Sequence, residues 1–133
     1  MSDGPVFNFA HYEPGKHYGA REFAVDDATV AKWRSVYPND DDSGVMPAGM
    51  LAMIVIDAVL TLNSPRPPGG VHGGQTFDIR RMPRIGESIR TDVWCLDKEI
   101  KKERKWVRVR SETRAVGSNE LLFTGVMTTL LAQ

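Results

Sequence analysis

Three kinds of group in this chain could pass a proton or hold a charged oxygen. His72 stands in Val71-His72-Gly73-Gly74-Gln75, and an imidazole changes charge near neutral pH. Asp40 and Asp41 belong to the acidic turn Asn39-Asp40-Asp41-Asp42-Ser43-Gly44; either carboxylate could serve His72 as its partner in acid–base work. Directly after that turn, Met46-Pro47-Ala48-Gly49-Met50 opens a long apolar run. A helix begun there offers unbonded N–H groups and the positive end of its dipole, a seat for an oxygen on which negative charge builds. Gly49 lets a ligand come close to the backbone. Each group also has a plain structural reading. The acidic turn favours the following helix start, His72 is a strand-end histidine bonded by backbone, and Gly49 allows tight helix–sheet packing. The acidic cluster lacks the spaced ligands and distal Glu of a calcium loop.

The elements that must position these groups follow from periodicity. Residues 46–62 read as one helix of about four to five turns. Pro47 suits its first turn, and Ser43 or Asp42 could cap it. Asp57 is its only charge, and a helix that is apolar all round is a buried one. The run is too short for a confident membrane span of ~20 apolar residues. Something must therefore wrap around it. Residues 1–20 read as an irregular arm rich in aromatics and turn formers, with His11 and His17 as surface or packing residues. A short strand is expected at 21–25. Residues 26–37 predict a helix capped by Asp26 or Asp27, with Val30 and Trp33 on one face, and Pro38 stops it. Residues 63–70 are a breaker cluster.

From Val71 onward the pattern is strand after strand. Residues 75–81 place Phe77 and Ile79 on one face. Residues 87–96 place Ile89, Val93 and Cys95 together. A charged bend is expected at 97–103. In 104–115, Val107, Val109 and Ala115 point inward, while Trp106, Arg108, Arg110, Glu112 and Arg114 point outward. Residues 121–131 are apolar on both faces, as in a central or interface strand. These four strands predict an antiparallel meander. The whole is an α+β fold in one domain, 1–133, a curled antiparallel sheet around one long central helix.

Composition narrows the function. The chain has 133 residues, enough for one domain with a real core. Lys plus Arg and Asp plus Glu each number 17, which argues against nucleic acid as the main partner. One cysteine, Cys95, cannot form an internal disulfide, and no Cys/His cluster has metal spacing. By alternation Cys95 is a core residue rather than a nucleophile. No signal segment is evident, so a cytoplasmic protein with no membrane partner, no metal and no bound cofactor is expected.

Specific strings sharpen the picture. Pro47-Ala48-Gly49-Met50-Leu51, Val71-His72-Gly73-Gly74-Gln75-Thr76-Phe77, Arg81-Met82-Pro83-Arg84-Ile85-Gly86-Glu87 and Gly125-Val126-Met127-Thr128 resemble segments of the MaoC-like dehydratases and (R)-specific enoyl-CoA hydratases of the hot-dog superfamily. The resemblance spans roughly residues 20–131. It implies a hot-dog fold, an acyl thioester substrate on coenzyme A or an acyl carrier, and hydration or dehydration of enoyl and 3-hydroxyacyl groups. With such a substrate, the helix-start chemistry makes Gly49 and Met50 the candidates for the thioester oxygen, with Ala48, Gly73 and Gly74 in the binding set, and His72 with Asp40 or Asp41 the candidates for acid–base work. Arg104, Arg108, Arg110 and Arg114 then become candidates for coenzyme A phosphates, beside their plain reading as a solvated strand face. The chain departs from the family at one point. The usual Asp-x-x-x-x-His pair before the central helix is missing, since 39–45 holds no histidine and the family's histidine of the helix-start string is Ala48. Two further readings follow: a non-catalytic subunit of a heteromeric hydratase, and a hot-dog acyl-CoA thioesterase. A dimer joined edge to edge is expected, either of two identical chains or with a dyad-bearing hot-dog subunit.

Overall fold

The computed structural model describes residues 7–39, 44–64 and 69–131. After a short 3-10 turn at Phe9–His11 come strand β1 (His17–Ala24), helix α1 (Asp27–Val36) and helix α2 (Met50–Leu62). Four strands follow: β2 (Val71–Ile79), β3 (Ser88–Lys101), β4 (Arg104–Ala115) and β5 (Leu121–Leu131). The strands form one antiparallel sheet in the order β1-β3-β4-β5-β2. It curls over α2 without closing, which is the expected architecture.

Two expectations about the sheet are corrected. Only β3, β4 and β5 form a meander, because β2 lies at the far edge, paired with β5. The link from β2 to β3 crosses the end of the sheet. On the way, the Arg80 and Arg81 amides donate to the Leu122 carbonyl, and the Gly86 amide donates to the Val25 carbonyl. The expected charged bend at 97–103 is mostly strand, and only Lys102 and Glu103 turn. A bulge between Cys95 and Asp97 shifts the alternation, so Asp97 stands opposite Arg108. The two side chains bond at 2.7 and 2.9 Å. Cross-strand pairing of opposite charges thus carries a polar segment through the ladder.

Both helices start for identifiable reasons. The Asp26 side chain caps α1, accepting from the Thr29 amide at 2.8 Å. Helix α2 begins at Met50, four residues later than the apolar run. The chain at 45–46 is held extended: Val45 bridges Arg84, and the Met46 amide donates to the Pro83 carbonyl at 2.8 Å. It can turn only from Pro47, where the Met50 and Leu51 amides bond back to the Pro47 and Ala48 carbonyls. Gly49 holds the cap position without a side-chain bond; the expected caps Asp42 and Ser43 lie outside the described residues.

One face of α2, made by Met50, Leu51, Ile54, Val55, Ala58 and Val59, is buried. It shares a core with Ile89, Val93, Val109, Phe123 and Met127 on the concave face of the sheet. The expectation of burial on every side is corrected, since Met53 and Leu60 are 38% and 45% exposed. An open sheet of five strands covers one side of a helix, and the other side keeps an apolar stripe. Asp57 lies on that open side, with Arg21 of β1 at 3.4 Å. Across the sheet, the Phe77 ring lies over Gly125, where a Cβ would come within 3.1 Å of it. The described part of the irregular arm, from Phe7, is docked on the core. Tyr12 is buried, with Phe7 and Tyr18 edge-on to it, and the Lys98 ammonium sits 4.4 Å from the centre of the Phe9 ring.

Candidate functional site

The front of α2 is a built corner. Met46 and Pro47 are buried beneath it, while Ala48 and Gly49 are exposed. The turn at 83–86 holds it, and Arg81 in turn holds that turn. The Arg81 guanidinium donates to both Glu87 oxygens at 3.0 and 2.8 Å and to both Glu120 oxygens at 3.1 and 3.0 Å. Glu87 also accepts from the Arg84 amide at 2.9 Å. The hydrogen bonds from Arg81 hold the carboxyls of Glu87 and Glu120 below their usual range, and these partners push the guanidinium further up. The Arg81–Glu87 string that carried part of the family resemblance is therefore a clamp on the helix entry.

Beside that front lies an apolar cleft of about 300 Å³ between α1 and the first turns of α2. Trp33, Val36, Tyr37, Met50 and Met53 line it, and Lys32 brings its one charge. The Trp33 and Tyr37 rings stack with centroids 4.5 Å apart. Met50 thus reaches the site through its side chain, because its amide is bonded to the Pro47 carbonyl.

His72 is elsewhere. It is exposed near the start of β2, opposite Thr129 near the end of β5, and so on the concave face. Gly73 is the bulged residue between the pairs His72–Thr129 and Gly74–Thr128. A Cβ at Gly73 would come within 3.3 Å of the Trp106 ring, whereas Gly74 has open space around it. Residues 48–50 therefore sit at the end of the sheet where β2 finishes. His72, Gly73 and Gly74 sit at the end where β2 starts. A single protomer does not bring the two groups together. Asp40 and Asp41 lie outside the described residues.

Other polar groups emerge only from the structure. On the concave face the side-chain oxygens of Thr129 and Ser111 and the amide nitrogen of Gln75 are buried without a hydrogen-bond partner. Inward alternation was their only signal in sequence. A histidine–carboxylate contact does exist, between His17 and Asp92 at 2.9 Å. It lies on the convex face beside Trp94, where it ties β1 to β3. Cys95 is buried, and burial pushes its thiol up, in keeping with a core residue. Three of the four β4 arginines are occupied. Arg108 pairs with Asp97, Arg110 with Glu112, and Arg114 with Glu112 and the Asn119 carbonyl. Among the described residues no group of three or more His, Cys, Asp or Glu side chains could hold a metal ion, and no helix is long and apolar enough to cross a membrane.

No family model matches the sequence, and no curated protein matches it. Solved structures do match. (R)-hydratase PhaJ1 from Pseudomonas aeruginosa superposes with a TM-score of 0.74 at 16% identity, over 95% of this chain and 86% of that one. The MaoC-like dehydratase from Rhodospirillum rubrum gives 0.75 at 14% identity, over 92% and 94%. The HadBC (3R)-hydroxyacyl-ACP dehydratase complex from Mycobacterium tuberculosis gives 0.67 at 13% identity, over 86% and 92%. The chain has the hot-dog fold of the MaoC-like dehydratases and (R)-hydratases, as the motifs implied.

Proposed function

We propose that this protein binds an acyl thioester at the front of α2 and hydrates an enoyl thioester, or dehydrates the 3-hydroxyacyl form. The observation that carries this reading is the apolar cleft opening beside the exposed Ala48–Gly49 turn. An acyl chain is apolar and needs such a cleft. Its carbonyl oxygen gains negative charge in the transition state, and the positive end of the α2 dipole at that front opposes this charge. Hydration adds water across the double bond. A base takes a proton from the water as its oxygen bonds to the β-carbon, and an acid delivers a proton to the α-carbon.

His72 can take part only from a second protomer. β2 is an edge strand, and an exposed edge is a template for pairing. Two β2 strands joined antiparallel about a two-fold axis bring the partner's His72 to the Ile79 end of β2, on the side where α2 starts. The acid–base set is then the partner's His72 with a carboxylate of the 40–41 turn, and Gly73 and Gly74 leave room beside it. No metal or organic cofactor is required by this chemistry.

One observation favours a second reading. Ala48 stands where the family carries a histidine, and residues 44–50 hold none. This suits a non-catalytic subunit that pairs through β2 with a dyad-bearing hot-dog chain; HadBC, to which this chain is similar in structure, is itself a dehydratase complex. Purified protein is mixed with crotonyl-CoA, and loss of enoyl absorbance is followed. Loss of absorbance by the protein alone supports the hydratase. Activity only after a second hot-dog chain is added supports the subunit role. Release of free thiol assigns a thioesterase instead.

A further inference from the structure

The fourth β4 arginine differs from its neighbours. Among the described residues Arg104 meets no carboxylate within ion-pair or hydrogen-bond distance, although Arg108, Arg110 and Arg114 all do. It lines a cleft of about 350 Å³ with Lys105, Glu103, Gly69, Val71 and Leu130. Lys105 has no carboxylate partner either; its ammonium lies 5.9 Å from the centre of the Phe9 ring. Among the charged residues that line the cleft, two cations stand against the one carboxylate of Glu103. The turn itself is costly. Lys102 and Glu103 hold φ of 53° and 66°, the left-handed pair of a two-residue hairpin that Asn-Gly would fill with least strain. Charged side chains are kept where glycine would be the cheaper choice.

We propose that this cleft binds the phosphates of the substrate's coenzyme A, with Arg104 and Lys105 as the phosphate ligands. Arg104 supplies a planar set of donors that matches phosphate oxygens, and Lys105 supplies a point charge. The cleft itself rests only on the unpaired cations. Its assignment to coenzyme A rests on the thioester reading above. The placement suits that carrier. Val71 in the cleft wall is the residue before His72, so antiparallel pairing of two β2 edges lays the cleft of one protomer towards the helix front of the other. The thioester and its phosphates then bind to different protomers, joined by the pantetheine arm.

The probe is adenosine 3′,5′-bisphosphate, the nucleotide end of coenzyme A with two of its three phosphates and no thioester, titrated calorimetrically at low and moderate salt. Saturable binding that weakens with salt is expected. The Arg104→Gln/Lys105→Gln protein should bind roughly tenfold or more weakly, and Arg108→Gln as wild type. Glu103→Gln, which removes the carboxylate of the cleft lining, should bind more tightly. Equal affinity in wild type and the double variant overturns the site, as does equal loss in Arg108→Gln. Inorganic phosphate binding as tightly as the bisphosphate overturns the assignment to the nucleotide. Arg104-dependent bisphosphate binding in a protein that leaves crotonyl-CoA intact keeps the site and removes the hydratase reading. Hydration of crotonyl-CoA with a KM unchanged by the double substitution does the reverse.

Discussion

At the end of the sheet where α2 begins, Arg81 is gripped by Glu87 and Glu120. At the opposite end, Arg104 and Lys105 line an open cleft, His72 is exposed on an unpaired strand edge, and Thr129 buries a hydroxyl with no partner. One end uses its charges to hold itself together. The other leaves polar groups unanswered, and those are the groups a ligand or a second chain can meet. Residues tied into ion pairs and polar residues left open to solvent are thereby separated along β2, and substitutions at the two ends should show different symptoms.

The largest contrast is expected from His72→Ala. An exposed histidine with no structural partner can be removed with a stability change within about 0.5 kcal/mol, while loss of the acid–base group lowers turnover by roughly 10²–10⁴-fold. Thermal melting and crotonyl-CoA hydration on the same sample test both halves, and an unchanged rate takes His72 out of the chemistry. Arg81→Gln should behave in the opposite way. It removes charge-assisted bonds to a partly buried Glu87 and loosens the turn that pins the helix entry, costing on the order of 1–2 kcal/mol. Denaturant midpoints should fall accordingly, with bisphosphate binding at the far cleft unaltered.

Acid sharpens the same difference. The folded-state carboxyls of Glu87 and Glu120 are depressed by Arg81. Depressed carboxyls contribute stability that is complete above their unfolded value and is lost as pH falls through the folded one. Stability from this clamp should therefore hold from neutral pH down to about 4.5, the ordinary value, and decline below it. In Arg81→Gln the decline should be shallower. Melting midpoints measured from pH 7 to pH 3 check the slope.

Much of the sheet was legible because alternation is a local property. Val107, Val109 and Ala115 face in and Arg108, Arg110 and Arg114 face out, as their spacing demands. Strand order was not legible, since nothing within 71–96 tells β2 to leave β3 for β5. The helix start was misread for a related reason. Residues 46–49 are as apolar as the helix, but long-range bonds from Val45 and Met46 to the turn at 83–84 hold 45–46 extended, so that the chain turns only from Pro47. At the site, residue types pointed to His72 and to Gly49, but their separation depends on topology. Arg104 was indistinguishable from Arg108 in sequence, because it takes a β-bulge to set Asp97 opposite Arg108, while Arg104 stands opposite Lys101 beside the turn.

The smallest predicted effect tests whether the unanswered groups near His72 carry a cost. Thr129 is 5% exposed and its hydroxyl oxygen finds no partner. Valine has nearly the same shape without the hydroxyl, so Thr129→Val replaces a buried polar group with an apolar one at little change in packing. Burying an unbonded hydroxyl costs about 1–3 kcal/mol by mutational measures, and removing it should recover part of that, on the order of 1 kcal/mol. The variant should therefore melt a few degrees higher than wild type, while the same change at Thr91, whose hydroxyl is bonded to Thr113 at 2.8 Å, should lower the midpoint. A lower midpoint for Thr129→Val would mean that ordered water completes the hydroxyl, and that this part of the concave face is already satisfied in the free protein.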